Sequence, residues 1–219
     1  KDFQSSRLKM KNYPHNPRQN MHAFIPTSAR KVVDIGCNTG AFGEGLKNTR
    51  SIEVWGVEPN ANAAKLASQR LDNVIVSLFD ADVPLPDATF DVVIFNDVLE
   101  HFAEPWNALR IAARKLRPGG CVVASIPNLR QIDNLIHILK DKDFHYETMG
   151  IRDRTHLRFF TRKSILRLFE ESGYRVEILE GINEEWWTSS IWRRFGFRIF
   201  KDYLEDTKYI QFAVVAFPE

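Results

Sequence analysis

Apolar and polar positions along the chain alternate in a way that predicts short buried strands separated by amphipathic helices. Val32, Val33 and Ile35 make an apolar run short enough for a strand buried on both faces. Runs of the same kind recur at Glu53–Val57, Val74–Leu78, Phe90–Phe95, Cys121–Ile126, Tyr174–Leu179 and Lys208–Phe217. Between them a 3.6-residue period predicts helices over Ala41–Lys47, Asn60–Arg70, Pro105–Leu116, Gln131–Lys140 and Arg162–Ser172. The punctuation agrees: Pro105 opens a helix, Pro118-Gly119-Gly120 stops it, Thr161 caps another and Gly173 ends it. Strands that alternate with helices indicate an α/β fold with a parallel sheet.

Three stretches carry no clear period. Residues 1–30 are polar and interrupted by Pro14, Pro17 and Pro26, with a short helical turn expected at Asn20–Phe24. This arm reads equally as a loose terminus and as a lid with Tyr13 and Arg18 as ligand contacts. Residues 141–160, DKDFHYETMGIRDRTHLRFF, form a long loop dense in His, Asp and Arg, whose aromatics argue for order. Residues 183–206 interleave Trp186, Trp187, Trp192, Phe195, Phe197 and Phe200 with Arg193, Arg194 and Arg198. Such a mixture suits a cap on the sheet edge, a membrane interface, a sugar platform or a dimer contact.

Composition narrows the class. A chain of 219 residues with 44% hydrophobic content supports one core, and residues 1–219 read as a single domain. A net charge of +2 spread along the chain does not point to nucleic acid. Cys37 and Cys121 are too few for a disulfide scaffold or zinc spacing, which fits a reducing compartment. No apolar run approaches the ~20 residues of a membrane span, and no signal peptide is visible. The expected location is the cytoplasm, with residues 186–200 as a peripheral contact to the inner face of a membrane.

The chemistry concentrates where the first strand ends. Asp34-Ile35-Gly36-Cys37-Asn38-Thr39-Gly40 leads into a helix, and Glu58-Pro59 closes the second strand, 24 residues beyond Asp34. Strand, glycine loop, helix, strand and acid make a nucleotide-binding βαβ unit, with Glu58 placed for two ribose hydroxyls. The dinucleotide fingerprint needs glycine where Asn38 stands, and no Gly-Lys-Ser/Thr marks a P-loop. A ligand without phosphate tolerates Asn38 better, which puts S-adenosylmethionine (SAM) ahead of NAD. Asp80-Ala81 after the third strand and Asn96 to His101 after the fourth fall on the same carboxyl edge.

Taken together, the glycine loop, Glu58, Asp80-Ala81 and Leu116-Arg117-Pro118-Gly119-Gly120 resemble the class I SAM-dependent methyltransferases. More narrowly, DVLEHF, PW, SIPN and DRTHLRFFT resemble the methyltransferases associated with lipopolysaccharide and other surface-glycan biosynthesis. The resemblance covers roughly residues 13–217 and departs at Asn38. It implies a Rossmann-like seven-stranded sheet in the order 3-2-1-4-5-7-6, the last strand antiparallel, with helices on both faces. It also implies that Asp34, Gly36, Cys37 and Gly40 meet the methionine end of SAM, that Glu58 and Pro59 flank the ribose, that Asp80 and Ala81 hold the adenine, and that Asn96 lines the sulfonium side.

The expected function is O-methylation of a sugar hydroxyl of a surface glycan or its precursor, releasing S-adenosylhomocysteine. A hydroxyl gains from a general base, and His156 is the candidate, oriented by Asp153 or Asp97, with His101 and His145 nearby. Arg152, Arg154, Arg158 and Tyr13 are candidate acceptor contacts. His15, His22 and His137 show no ligand spacing, so no resident metal is expected; a divalent ion bridged through Asp97 and Asp153 is a subordinate reading. Other acceptors, a quinone-type molecule or an amine, form the second hypothesis, and a non-catalytic SAM-binding module the third. A place within a larger glycan-synthesis protein or complex is also expected.

Overall fold

A computed structural model describes residues 17–184 and 198–219. Seven strands form one sheet in the order β3-β2-β1-β4-β5-β7-β6, as the resemblance implies. They are β1 (Lys31–Ile35), β2 (Glu53–Val57), β3 (Asn73–Ile75), β4 (Phe90–Asn96), β5 (Leu116–Pro127), β6 (Tyr174–Glu184) and β7 (Tyr209–Pro218). β1 runs parallel to β2 and to β4, and β4 parallel to β5. β7 runs antiparallel to both β5 and β6. That reversal brings the start of β7 to the edge where the parallel strands end.

Alternation along the strands produces two cores. Val33, Ile35, Val93, Phe95, Val122 and Ala124 face one way, against Leu109 and Ala112 of α4 (Pro105–Lys115) and Ile165 and Phe169 of α6 (Arg162–Glu171). Val32, Val54, Val92, Ile94 and Val123 face the other way, against Phe42 and Leu46 of α2 (Ala41–Thr49), Ala67 of α3 (Ala61–Ala67) and Met21 of α1 (Gln19–His22). Truncating a ring such as Phe95 or Phe169 to Ala is expected to cost about 3–5 kcal/mol. Local signals set the helix starts. Asn60 accepts from the amides of Asn62 and Ala63 to begin α3, and Thr161 with Ser164 forms a reciprocal capping box on α6. A fifth helix, α5 (Ile132–Asp141), joins neither core.

Boundaries shift where pairing outweighs pattern. β3 stops at Ile75, because as an edge strand it pairs only with β2 and leaves Val76 and Leu78 exposed. β5 begins at Leu116, which pairs with Phe90, ahead of the apolar run that starts at Cys121. β6 runs on to Glu184, opposite Tyr209, so the first residues of the expected 183–206 insert belong to the sheet. The short helix α7 (Lys201–Leu204) and a 3-10 turn (Glu205–Lys208) complete that insert as far as it is described. Residues 185–197, which hold most of its aromatics, and Tyr13 of the arm lie outside the described residues. Among the described residues no helix is long and apolar enough to cross a membrane.

Candidate active site

The parallel strands end along one edge, and two groups of polar residues line it. The first surrounds the tips of β1 and β2. Gly36 and Gly40 both have positive φ, +68° and +79°. A Cβ on Gly36 would stand 2.9 Å from Val98 Cγ2, and one on Gly40 would stand 3.1 Å from the backbone of Ala67. Asn38 between them is also left-handed, at φ 49°, which Asn tolerates better than most residues. The loop therefore keeps its tight course with Asn where a dinucleotide loop has glycine. Glu58, nearly buried, braces this loop: one carboxylate oxygen accepts from the Asn38 amide at 2.9 Å, the other from the Asn60 amide at 2.8 Å. Each oxygen retains a lone pair for a further donor.

Asp34 lies buried at the end of β1, and burial pushes its pKa up to about 7, against the pull of Arg18 and with a further push from Glu58. Cys37 is buried, its thiol packed so closely on Gly56 that a Cβ there would come within 2.5 Å of the sulfur. Burial raises its pKa, which makes it an inert packing residue. Pro59, Asp80 and Ala81 are exposed, and Asp80 accepts from the Asp82 amide at 3.0 Å, a turn bond that leaves its other oxygen outward.

The second group surrounds the tips of β4, β5 and β7. Both polar atoms of the Asn96 side chain are shielded and lack a hydrogen-bond partner among the described residues. Asp97, left-handed at φ 55°, collects donors from three distant segments. Arg18 reaches it at 2.6 Å, the Ser125 hydroxyl at 2.8 Å and the Gln211 amide at 2.6 Å. Burial works against the charge on Arg18, but Asp97, with Asp34 and Glu100 further off, outweighs it and holds the guanidinium charged. Arg18, Asn20, Met21, Asp97, Asn183 and Gln211 line a cavity of about 150 Å³. Arg18, one of the two residues expected of the arm as ligand contacts, reaches from just before α1 to Asp97 and Ser125 at the ends of β4 and β5.

A 3-10 turn, Leu99–His101, follows. It turns Leu99 and Glu100 inward and His101 outward. The amides of Leu157 and Arg158 donate to the Glu100 carbonyl, which docks the 141–160 loop on this turn. His156 thereby comes to lie edge-on to His101, ring centroids 4.8 Å apart. Its Nδ1 meets the Ile151 carbonyl at 3.0 Å, and Asp153 and Asp97 act on the ring through their charge. Asp153 also accepts from the amide and hydroxyl of Thr155, a turn bond inside the loop. His156 Nε2 stands 3.9 Å from Glu100 Oε1, too far for a hydrogen bond. Glu100 is 1% exposed. Burial, reinforced by Asp97, drives its pKa well above the usual carboxylate range, while burial lowers that of His156.

The remaining candidates lie around the same loop. His145 is exposed, between Phe144 and Tyr146, whose rings pack edge-on. Arg152 bonds Asn134 at 3.2 Å and pairs with Glu147, and Arg158 bonds the Ala103 carbonyl and lies over the Trp106 ring. Both tie the loop to its surroundings, while Arg154 points to solvent. Glu100, Ser125 and Gln211 carried no role in the sequence reading; a buried acid beside a histidine leaves no periodic signal, and Gln211 reaches this edge only through the reversal of β7.

Comparison with known proteins gives this arrangement a family. The chain matches the methyltransferase-domain family over residues 10–178. It is 34% identical over 97 residues to the 27-O-demethylrifamycin SV methyltransferase of Amycolatopsis mediterranei, which covers 41% of this chain and 36% of that protein. It is 26% identical over 164 residues to the ubiquinone biosynthesis O-methyltransferase of Thiobacillus denitrificans, covering 72% of this chain and 69% of that one. The chain thus spans about a third of the first relative's length and about two thirds of the second's. In fold it is similar to a SAM-dependent methyltransferase from Archaeoglobus fulgidus, with a TM-score of 0.68 at 22% identity over 91% of this chain and 90% of that one. With the family match spanning most of its length, the chain belongs to the methyltransferase-domain family, the class I SAM-dependent methyltransferases.

Proposed function

We propose that the chain transfers a methyl group from SAM to a hydroxyl oxygen, and that a sugar hydroxyl of a surface glycan or its precursor is the acceptor. One observation carries the proposal: the buried Glu100–His156 pair, with His101 at its rim, sits on the same sheet edge as the Gly36–Gly40 loop. The residues fit the cofactor. Gly36 and Gly40, with no room for side chains against Val98 and Ala67, hold the loop in its tight course at the strand edge, and the Asn96 amide, shielded and unpartnered among the described residues, is suited to a bound polar group. Asp34, Gly36, Cys37 and Gly40 would hold its methionine end, Glu58 and Pro59 its ribose, Asp80 and Ala81 its adenine, and Asn96 would line its sulfonium side.

Bound SAM supplies an electrophilic methyl carbon on a good leaving group. The protein then has to align an oxygen, keep water out and relieve that oxygen of its proton. The docked 141–160 loop covers the edge beside β4. Donation of the His156 Nδ1 proton to the Ile151 carbonyl leaves Nε2 with a free lone pair. An imidazole with a lowered pKa is neutral at physiological pH and able to accept a hydroxyl proton. A sugar hydroxyl, far less acidic than a phenol, needs such help most.

The glycan acceptor rests on the motifs DVLEHF, SIPN and DRTHLRFFT, the last of which forms the docked loop. A second reading has support in the names of two relatives, a ubiquinone biosynthesis O-methyltransferase and a 27-O-demethylrifamycin SV methyltransferase, and it replaces the sugar with a small molecule such as a quinone-type phenol. Incubation with SAM and panels of glycans and phenols, read by mass spectrometry, separates them. A mass gain of one methyl on a glycan is expected; transfer confined to phenols would select the second reading, and transfer only to nitrogen would end both.

A further inference from the structure

Glu100, His101 and His156 present one donor atom each, all within 4.8 Å of one another. From their geometry we infer that these three residues form a binding site for a divalent transition-metal cation, in the class of Mn²⁺, Co²⁺ and Zn²⁺. Three independent features converge on it.

The first is the orientation of the imidazoles. His156 Nδ1 faces the Ile151 carbonyl at 3.0 Å and His101 Nδ1 faces the Thr155 carbonyl at 3.2 Å. A carbonyl only accepts, so in both rings Nδ1 must carry the proton and Nε2 must carry the lone pair. Metal-binding histidines are held in just this way, one nitrogen donating to a backbone carbonyl and the other turned to the ion. Two histidines from segments more than fifty residues apart share the arrangement.

The second is Glu100. Its side chain is almost fully buried, and neither carboxylate oxygen has a hydrogen-bond partner among the described residues. His156 Nε2 turns a lone pair toward Oε1 from 3.9 Å, too far for the two to share a proton, and the two amides of the covering loop donate to the Glu100 carbonyl and not to its carboxyl group. A dication between them satisfies the carboxylate and both imidazoles at once.

The third is the backbone. The 3-10 turn that buries Glu100 and presents His101 is clamped by Leu157 and Arg158, which flank His156. The same contacts that close the loop assemble the donors. Ligands at about 2.0–2.2 Å from an ion lie within about 4.4 Å of each other, so a closure of a few tenths of an ångström completes the set. One carboxylate and two imidazoles leave coordination positions open.

The donor set differs from the Asp97–Asp153 bridge considered from sequence. Asp97 is engaged by Arg18, Ser125 and Gln211, and Asp153 by Thr155. In the role it would play the inference rests on the proposed O-methylation: an open position can seat the acceptor oxygen and ease loss of its proton, with His156 then a ligand instead of the base.

The test is a Mn²⁺ titration of the chelator-stripped chain, followed by electron paramagnetic resonance of free ion and by calorimetry. One equivalent is expected to bind. Glu100→Gln and His101→Ala are each expected to weaken it at least tenfold while affinity for S-adenosylhomocysteine stays within about twofold, which shows that the variants fold. His101 is exposed, so its replacement perturbs the core least. Absence of stoichiometric binding would overturn the inference, as would binding unchanged in both variants. Methyl transfer at full rate in chelator would overturn it too and leave O-methylation standing. A bound ion without transfer to any hydroxyl would retain the site and refute the proposed function.

Discussion

At the tips of β1 and β2 Glu58 is bonded to backbone nearby in sequence, whereas at the tips of β4, β5 and β7 Asp97 and His101 are bonded to remote segments. Glu58 holds two amides, those of Asn38 and Asn60, within 20 residues of itself. Asp97 holds Ser125, 28 residues away, and Gln211, 114 residues away, besides Arg18 from the N-terminal side. His101 meets Thr155 across 54 residues. One half of the edge is a local motif that any chain with the right strand–loop–helix spacing can form. The other half exists only once the whole sheet and its covering loop have closed. The proposed function assigns cofactor recognition to the first half and acceptor chemistry to the second.

This division is sharpest where a substitution should separate rate from cofactor affinity. Glu100→Gln replaces the carboxyl group at nearly constant volume. The methyl-transfer rate is expected to fall about 100-fold, the scale of a lost acid–base group, with affinity for S-adenosylhomocysteine unchanged; single-turnover assays beside calorimetry check both. A loss of affinity equal to the loss of rate would erase the distinction between the halves.

Gly36→Ala attacks the first half through the backbone. Its Cβ would meet the stiff Val98 side chain at 2.9 Å, at a φ that disfavours Ala. A destabilisation of about 1–3 kcal/mol is expected in thermal denaturation, together with weaker cofactor binding. An unchanged melting temperature would show that the turn is looser than its geometry.

Asp34 sharpens the comparison through pH. Its pKa is about 7 folded against 3.8 for a free aspartate, so between those values the native state binds the extra proton. Stability from this group is therefore lost as pH rises from about 4 to about 7. Occupied by the cationic methionine end of SAM, the same carboxylate is ionised, so affinity is expected to rise between about pH 6 and 7.5, below the α-amino pKa near 8. Asp34→Asn should flatten that rise in a pH series of titrations; a slope that persists in the variant would assign it elsewhere, Arg18 and Glu58 being the charged groups that act on Asp34.

The smallest effect belongs to Arg18→Ala. The Arg18–Asp97 pair is partly exposed, 30% and 21% for the two side chains, and is expected to contribute about 1 kcal/mol or less. Ser125 and Gln211 still hold Asp97 in its absence. A severalfold rise in acceptor KM with little change in melting temperature is expected; loss of folding would make Arg18 part of the core.

What the sequence made legible follows the same line. The strands, the helices, the glycine loop and Glu58 were readable because each is written within a few dozen residues: apolar runs of strand length, glycines at a turn, an acid at the end of the next strand; the order of the strands in the sheet came only with the family resemblance. His101 and His156 were visible as polar residues in loops at the carboxyl edge. Their assembly was not, because it depends on Leu157 and Arg158 docking on the Glu100 carbonyl, a main-chain contact with no side-chain signature. Glu100 itself resembles a solvated acid until the 3-10 turn buries it beside Leu99. For the arginines the residue type suits acceptor binding, while the bonds of Arg152 and Arg158 to Asn134, Glu147, Ala103 and Glu104 cross between segments and leave no trace in the sequence. The reach of β6 to Glu184 likewise reflects pairing with β7 and no pattern of its own.

The most direct measurement is calorimetric titration of S-adenosylhomocysteine into the chain and into Glu58→Ala and Glu100→Gln. Two charge-assisted hydrogen bonds, each about 1.5–3 kcal/mol, brace the loop through Glu58. One-to-one binding is expected in the parent, lost by 100-fold or more in Glu58→Ala and kept in Glu100→Gln. No binding to the parent, or equal losses in the two variants, would contradict an edge divided between cofactor and acceptor.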